Sequence, residues 1–290
     1  MGVLDGRVAV ISGAGRGIGR EHALLFAAEG ASVVVNDLGG SNSGEGVDAG
    51  PARDVVDEIM AAGGTAVANT DDVATWAGAQ ALVEQAVQEF GNLDVVVNNA
   101  GILRDNYIAA MDEAQWDAVI GVHLKGHAAV LHHAAAYWKA QSKSGAQPNA
   151  AVINTASASG VTLPQPGQTN YGAAKAGIAA LTLVAAAELE RYGVRVNAIA
   201  PIARTRLTEA TPGLGAIFSA AVEEGEFDYF SPANISPVVA YLASEKCPLT
   251  GQVFAVQGGA ISTLAGWHDV RTIETDGAWS IDDLATRLPA

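Results

Sequence analysis

The sequence predicts an α/β protein, a doubly wound parallel sheet with helices on both faces, and three observations carry that prediction. Short runs rich in valine and isoleucine recur along the chain, and helix-patterned runs of greater length separate them. Runs of that kind suit strands buried on both faces of a parallel sheet, with crossover helices supplying the cover. The first run passes directly into a glycine-rich turn and then a helical pattern, Ser12-Gly-Ala-Gly-Arg-Gly-Ile-Gly19. Composition agrees: 49% of the 290 residues are hydrophobic, 33 are glycine and only 6% are aromatic, which suits a large packed core and argues against disorder.

Arg7–Ser12 is predicted as the first strand, followed by a helix to Gly30 and a second strand, Ser32–Asp37, that ends in a carboxylate. Strand, glycine turn, helix, strand and terminal acid together form a dinucleotide-binding unit of Rossmann type. Glycines 13, 15, 17 and 19 let the backbone approach a pyrophosphate, whose charge faces the helix N-terminus. Asp37 follows Gly19 by eighteen residues. There a carboxylate can accept hydrogen bonds from a ribose 2′-hydroxyl but repels a 2′-phosphate, so NAD is expected over NADP. Arg16 and Arg20 are the cations that could temper that preference.

Gly39–Gly50 is too poor in apolar residues to pack and is expected to be a flexible loop. Pro51 opens a helix to about Ala62, Thr65–Thr70 is the third strand, and Asp71-Asp72-Val73 lies at its binding edge. A helix over Thr75–Phe90 leads to the fourth strand, Leu93–Asn98, which runs into Asn99-Ala100-Gly101. Glu113 to about Lys139 is predicted as one long helix containing His123, His132 and His133. The fifth strand, Ala151–Thr155, is followed by Ser157 and Ser159, and a proline- and glycine-containing loop leads to a helix from Tyr171 to Glu190. Val194–Ala200 is the sixth strand, ending at Pro201. Residues 203–231 form an expected substrate lid, Pro232–Ser244 a short helix, and Gln252–Gln257 the seventh strand. The tail, 264–290, is left unassigned. No linker divides the chain, so residues 1–290 are expected to form a single domain.

Tyr171 and Lys175 are four residues apart, one helical turn, and so project from one face. A free phenol titrates near 10, and a neighbouring cation favours the phenolate, which would bring a proton donor and acceptor toward neutral pH. Sixteen basic against thirty-one acidic residues give a charge of −15, which disfavours nucleic-acid or membrane-surface partners and makes any anionic substrate depend on local cations. Cys247 is the lone cysteine, so neither an internal disulfide nor a cysteine-rich metal site is expected. The N-terminus lacks a charged segment followed by an apolar one, and a cytoplasmic, soluble protein is expected.

The glycine turn, Asn98-Asn99-Ala100-Gly101, a serine after the fifth strand and Tyr171-X-X-X-Lys175 occur in the order seen in short-chain dehydrogenases/reductases, which the chain resembles over roughly residues 4–262. Four stretches resemble one branch more closely: Val33–Gly40, Asn98–Asp105, Val122–Gly126 and Gly167–Tyr171. That branch comprises the (3R)-hydroxyacyl-CoA dehydrogenase domains of peroxisomal multifunctional β-oxidation enzymes and their single-domain bacterial relatives. The resemblance implies a seven-stranded parallel sheet in the order 3-2-1-4-5-6-7. It implies that Ser157 bonds the substrate oxygen, that Tyr171 is the acid/base, and that Lys175 lowers the tyrosine pKa and holds the nicotinamide ribose. Gly13, Arg16, Gly17 and Ile18 would meet the cofactor phosphates and ribose, and Asp37, Asp72 and Val73 the adenosine. Asn99 and Ala100 would meet the adjoining ribose, and Pro201 to Thr205 the nicotinamide amide.

Several features depart from the family pattern. His123 stands where many members carry asparagine, at a position supporting a water chain to the lysine; the hydroxyacyl-CoA branch also has histidine there. Ser157 precedes Tyr171 by fourteen residues, one more than the common spacing, and Ser159 is the competing assignment. Ile202 replaces a frequent glycine after Pro201, and the Gly39–Gly50 loop lacks lysines. The implied function is NAD-dependent interconversion of a secondary alcohol and a ketone, foremost a 3-hydroxyacyl-CoA and its 3-oxoacyl-CoA in lipid or steroid side-chain degradation. The alternatives are a hydroxysteroid or 3-oxoacyl carrier-protein substrate, or a non-catalytic dinucleotide sensor. Pairing through the two long helices would give a homodimer or homotetramer.

Overall fold

The structure is a computed structural model that describes residues 2–210, 215–218 and 225–288. Seven parallel strands, β1 (Val8–Ser12), β2 (Ser32–Asn36), β3 (Thr65–Asn69), β4 (Val95–Asn98), β5 (Ala150–Thr155), β6 (Val194–Ile202) and β7 (Val253–Gln257), lie side by side in the expected order 3-2-1-4-5-6-7. Alternate residues of each buried strand serve opposite cores, as the period of two requires. Ala9, Ile11, Val33 and Val35 face the core under helices α1 (Gly17–Ala28) and α2 (Gly50–Ala61). Val8, Val10 and Val34 face the core under α3 (Trp76–Phe90). Burying one such valine or isoleucine contributes about 1.5–3 kcal/mol, so both helical layers are anchored by the same strands.

An eighth strand was not expected. After the turn at Gly258–Gly259, Ala260–Leu264 (β8) folds back antiparallel on β7, pairing Gln257 with Ala260 and Val253 with Leu264. Its residues are mostly exposed, so the apolar run that marks the buried strands is missing from its sequence. The long histidine-containing helix also differs in detail. It comprises α4 (Glu113–Ile120), a π-helical turn at Gly121–Lys125 and α5 (Gly126–Lys143). Asp112 starts it with a capping box closed by Gln115. A π-turn adds one residue to the helical repeat and has no residue type of its own to announce it, and such turns concentrate at functional sites.

The remaining helices are α6 (Ala158–Val161), α7 (Thr169–Leu189), α8 (Arg206–Ala210), α9 (Gly215–Phe218), α10 (Ser236–Ala243) and α11 (Ile281–Arg287). By length and composition Thr169–Tyr192 could cross a membrane, but its inner face (Ile178, Thr182, Ala185, Ala186 and Leu189) is buried against the protein. The loop after β2 is folded rather than loose. Asp48 N–H donates to Leu38 O at 3.0 Å, Ser41 N–H to Glu45 O at 2.8 Å, and Leu103 N–H reaches Asn42 O at 2.9 Å. Backbone bonding supplies what its composition could not. Only part of the expected lid, 203–210, 215–218 and 225–231, lies within the described residues. Strand order reverses beside β1, where β2 lies on one side and β4 on the other. In open sheets the carboxyl ends of the strands at that reversal form the binding crevice.

Candidate active site

The crevice is a cavity of about 300 Å³. On its nucleotide side it is lined by Gly13, Arg16, Gly17, Ile18, Asp37, Asp72, Val73, Asn99 and Ala100. Across from these lie His123, Ser157, Tyr171, Lys175, Pro201 and Thr205. The residues expected to carry chemistry and most of those expected to hold the cofactor therefore line one space, while Gly15, Gly19 and residues 202–204 stand behind it. Ser159 does not line it; its N–H donates to Ser157 Oγ at 3.2 Å, and Ser157 caps the short helix α6. Of the two candidates, Ser157 faces the cavity.

The nucleotide side is shaped by backbone contact. A Cβ on Gly13 would sit 2.7 Å from the Ala100 Cα, and one on Gly19 only 2.2 Å from the Gly13 carbonyl oxygen. Asn99 fixes this turn by donating its side-chain amide to Ser12 O at 3.1 Å and Gly13 O at 3.0 Å. No side chain caps the start of α1, so the first-turn N–H groups at Gly17 and Ile18 open on the cavity. Asp37 is pinned from both oxygens, accepting from Gly15 N–H at 2.8 Å and Gly39 N–H at 2.7 Å. Asn36 beneath it donates to Asn69 Oδ1 at 2.7 Å and Asp71 O at 2.9 Å, which ties the ends of β2 and β3 together. Free helix N–H groups, a turn that admits only glycine, and a fixed acid fit a dinucleotide's pyrophosphate and adenosine ribose.

The opposite side is assembled by α7 and the strand ends it covers. Lys175 is buried and donates from Nζ to Thr155 O at 2.6 Å, and its ammonium lies 5.5 Å from the centre of the Tyr171 ring. His123, carried by the π-turn, packs edge-on against Tyr171 with ring centres 5.1 Å apart. Its Nε2 lies 3.0 Å from the Ile102 nitrogen and 2.8 Å from the Ile102 carbonyl oxygen, accepting from the first or donating to the second according to tautomer, while Nδ1 is buried without a partner among the described residues. Below, Asn98 donates to Asn154, and Asn154 to Thr182 on α7, so buried amides lock the helix to β4 and β5.

Burial governs the electrostatics. It drives the Lys175 ammonium down to about 7 and pushes the Tyr171 phenol above its ordinary value, with Asp105 adding to the rise and a hydrogen bond from Ser157 opposing it. The lysine was expected to pull the tyrosine down. Instead its own charge is weakened by the same dry surroundings. Burial, assisted by the Lys175 charge and opposed by the Ile102 hydrogen bond, lowers His123 to about 3, so this imidazole is neutral at physiological pH.

Asp105, Gln168 and Asn170 escaped the reading of the sequence. Gln168 donates to Asp105 Oδ2 at 2.9 Å, Asn106 N–H to Gly167 O at 2.8 Å, and Asn170 to the Arg104 carbonyl at 3.0 Å. These bonds staple the loop after β4 to the first turn of α7, next to Tyr171. The signal for them was that they lie in Asn98–Asp105 and Gly167–Tyr171, two of the stretches that resemble the hydroxyacyl-CoA branch. His132 and His133, given no role, stack with Trp76 at 4.9 and 5.5 Å between ring centres.

A sequence model described as short chain dehydrogenase matches residues 7–212. The chain belongs to the short-chain dehydrogenase family. Within it, the chain is 44% identical to the hydroxyacyl-CoA dehydrogenase ChsB1 of Mycobacterium tuberculosis, over 98% of this chain and 88% of that one. It is 43% identical to the peroxisomal multifunctional enzyme type 2 of Drosophila melanogaster, over 97% of this chain but 43% of that longer protein. A crystal structure of a short chain dehydrogenase from Mycobacterium avium superposes with a TM-score of 0.87 at 49% identity, covering 99% of this chain and 95% of that one. As a short-chain dehydrogenase the protein is an oxidoreductase of CH–OH groups that works with a nicotinamide cofactor.

Proposed function

We propose that this short-chain dehydrogenase uses NAD to interconvert a 3-hydroxyacyl-CoA and its 3-oxoacyl-CoA, in the breakdown of fatty-acyl or steroid side chains. One observation carries the chemistry: Ser157, Tyr171 and Lys175 converge on the cavity that holds Asp37 at its far end. The thioester comes from the relatives, a hydroxyacyl-CoA dehydrogenase among them. NAD is preferred because both Asp37 oxygens are already held by backbone N–H groups, which fixes a full carboxylate where a 2′-phosphate would lie.

Bound NAD supplies a nicotinamide ring that accepts the carbinol hydride. The chain's own residues handle position and protons. Ser157 Oγ holds the substrate oxygen beside Tyr171, whose phenolate takes the hydroxyl proton during oxidation. Lys175, with an ammonium titrating near 7, can both give and take a proton at working pH and so passes charge between the phenol and the interior. His123, neutral and anchored on Ile102, holds the Gly101–Ile102 backbone at the cavity wall. Asn99 and Ala100 place the first ribose, and Pro201 and Thr205 the amide of the ring.

NADH formation across a panel of (3R)- and (3S)-3-hydroxyacyl-CoAs, with NADP as control, tests this reading. Turnover of one enantiomer with NAD is the expected result. Absence of turnover with every thioester would remove the substrate while leaving the family intact. We further infer a homodimer or homotetramer, because Leu183 and Val184 on the outer face of α7 are 42% and 59% exposed; light scattering after size exclusion would show it.

A further inference from the structure

A second cavity of about 580 Å³ lies beside the catalytic crevice. Its walls come from three segments: Ser41, Asn42 and Ser43 in the loop after β2, Leu103 and Asp105 after β4, and Arg206 and Ala210 on α8. Ser41, Asn42 and Arg206 line the catalytic crevice as well, so the two spaces adjoin. The walls are joined to one another. Asn42 donates its amide to Arg206 O at 3.2 Å, and Arg104 Nε to Ser43 O at 2.6 Å.

Two hydrogen-bond acceptors in these walls, Asn42 Oδ1 and Asp105 Oδ1, are buried without partners among the described residues. A buried acceptor left unmet costs about 1–3 kcal/mol. That cost is recovered by a ligand that brings N–H or O–H donors. On the same walls Arg206 exposes a guanidinium, and it sits close enough to Arg16 for the like charge to push it below its ordinary value, after burial. Asp37 offsets part of that push, and Arg16 lines the crevice alone, so on a chain of net charge −15 Arg206 is the cation these walls offer to an anion.

We propose that this cavity seats the phosphopantetheine arm of the substrate's thioester carrier, with Asp105 and Asn42 accepting its amide N–H groups and Arg206 meeting its phosphate. The arm has two amides and a phosphate spaced along a flexible chain, which matches two acceptors and one cation around an open channel. Its reactive end then enters the crevice past Asp105, beside Tyr171. This assignment rests on the thioester reading above and deepens it by naming the groups that recognise the carrier. Coenzyme A and an acyl carrier protein both present this arm, and they differ in what lies beyond the phosphate.

The test compares one 3-hydroxyacyl group on three carriers: coenzyme A, a phosphopantetheinylated carrier protein, and a plain S-ethyl thioester with neither amide nor phosphate. Wild-type enzyme should favour the pantetheine carriers in kcat/KM, and the better of the two identifies the source of the arm. Asp105→Asn and Arg206→Gln should each shrink that preference about tenfold, through KM. Because each readout is a ratio within one enzyme, a general loss of activity cancels. A preference that persists in both variants overturns the proposal, as does equal wild-type rates on all three carriers. Arg206 is exposed, so its variant keeps the test alive should Asp105→Asn fold poorly. If no thioester is turned over, calorimetric titration of NADH-saturated enzyme with coenzyme A separates the two ideas. Binding weakened by Arg206→Gln keeps the cavity assignment without the proposed reaction, and absence of binding ends both.

Discussion

The two halves of the crevice are built in opposite ways. On the nucleotide side, shape comes from backbone against backbone: the Gly13 turn leaves no room for a Cβ, Asn99 bonds the turn's carbonyls, and Asp37 has both oxygens engaged. On the substrate side, α7 carries the reacting groups, but the cavity beside it is walled by side chains on loops, where Asn42 Oδ1 and Asp105 Oδ1 have no partner among the described residues. A wall made of backbone is complete before any ligand arrives. A wall made of unpaired side chains is completed by its ligand, so the first half sets whether a cofactor binds and the second sets what is turned over.

Separating chemistry from binding gives the largest expected effect. Tyr171→Phe removes the phenol from the substrate side and touches nothing on the nucleotide side. Turnover should fall by about a thousandfold or more while NADH affinity, read by fluorescence titration, stays within about twofold. Substantial remaining turnover would mean that another group carries the proton. Gly19→Ala attacks the backbone half. Its Cβ would be driven to 2.2 Å from the Gly13 carbonyl. Overpacking of about 1–3 kcal/mol should weaken NADH by roughly tenfold to a hundredfold and lower the melting temperature. An alanine variant with normal NADH affinity would break the contrast between the halves.

The same contrast explains which parts were legible in the sequence. Glycines at 13 and 19, the acid at 37 and the four-residue step from Tyr171 to Lys175 follow from backbone geometry and helical period, and these are local in the chain. Seven strand positions were readable because burial on both faces demands unbroken apolar runs. β8 was not, since an exposed edge strand such as Ala260–Leu264 needs no such run. Asp105 and Gln168, 63 residues apart, meet only because β4 and α7 converge. Their bond has no period, and neither has the contact of Asn42 with Arg206. The upward push on Tyr171 was also hidden, because a spacing gives the nearness of Lys175 but not how dry the site is.

Cofactor choice tests the nucleotide side with a smaller expected effect. Asp37→Asn keeps the side-chain shape but removes the charge and one of two acceptors that hold Gly15 and Gly39. The ratio of kcat/KM for NAD over NADP should fall about tenfold, with part of the loss appearing as weaker NAD binding. An unchanged ratio would show that the Asp37 charge does not set the choice of cofactor.

The smallest expected effect joins the two halves of the argument at Tyr171. Three titratable groups face that phenol: Lys175 on its own helix, His123 on the π-turn and Asp105 on the loop after β4. His123, lowered to about 3, is neutral throughout the working range and contributes no charge. Asp105 as a carboxylate disfavours the phenolate and so raises the tyrosine, on top of the larger effect of burial. Alcohol oxidation needs the phenolate, and its rate should therefore climb with pH until Tyr171 is ionised. Removing the carboxylate by Asp105→Asn should move that climb to lower pH without changing its steepness, and should do so on the S-ethyl thioester, where no carrier arm can intervene. Ketone reduction needs the protonated phenol, so its fall on the alkaline side should move to lower pH as well. A displacement toward higher pH, or in only one direction of reaction, would show that Asp105 acts on the substrate alone.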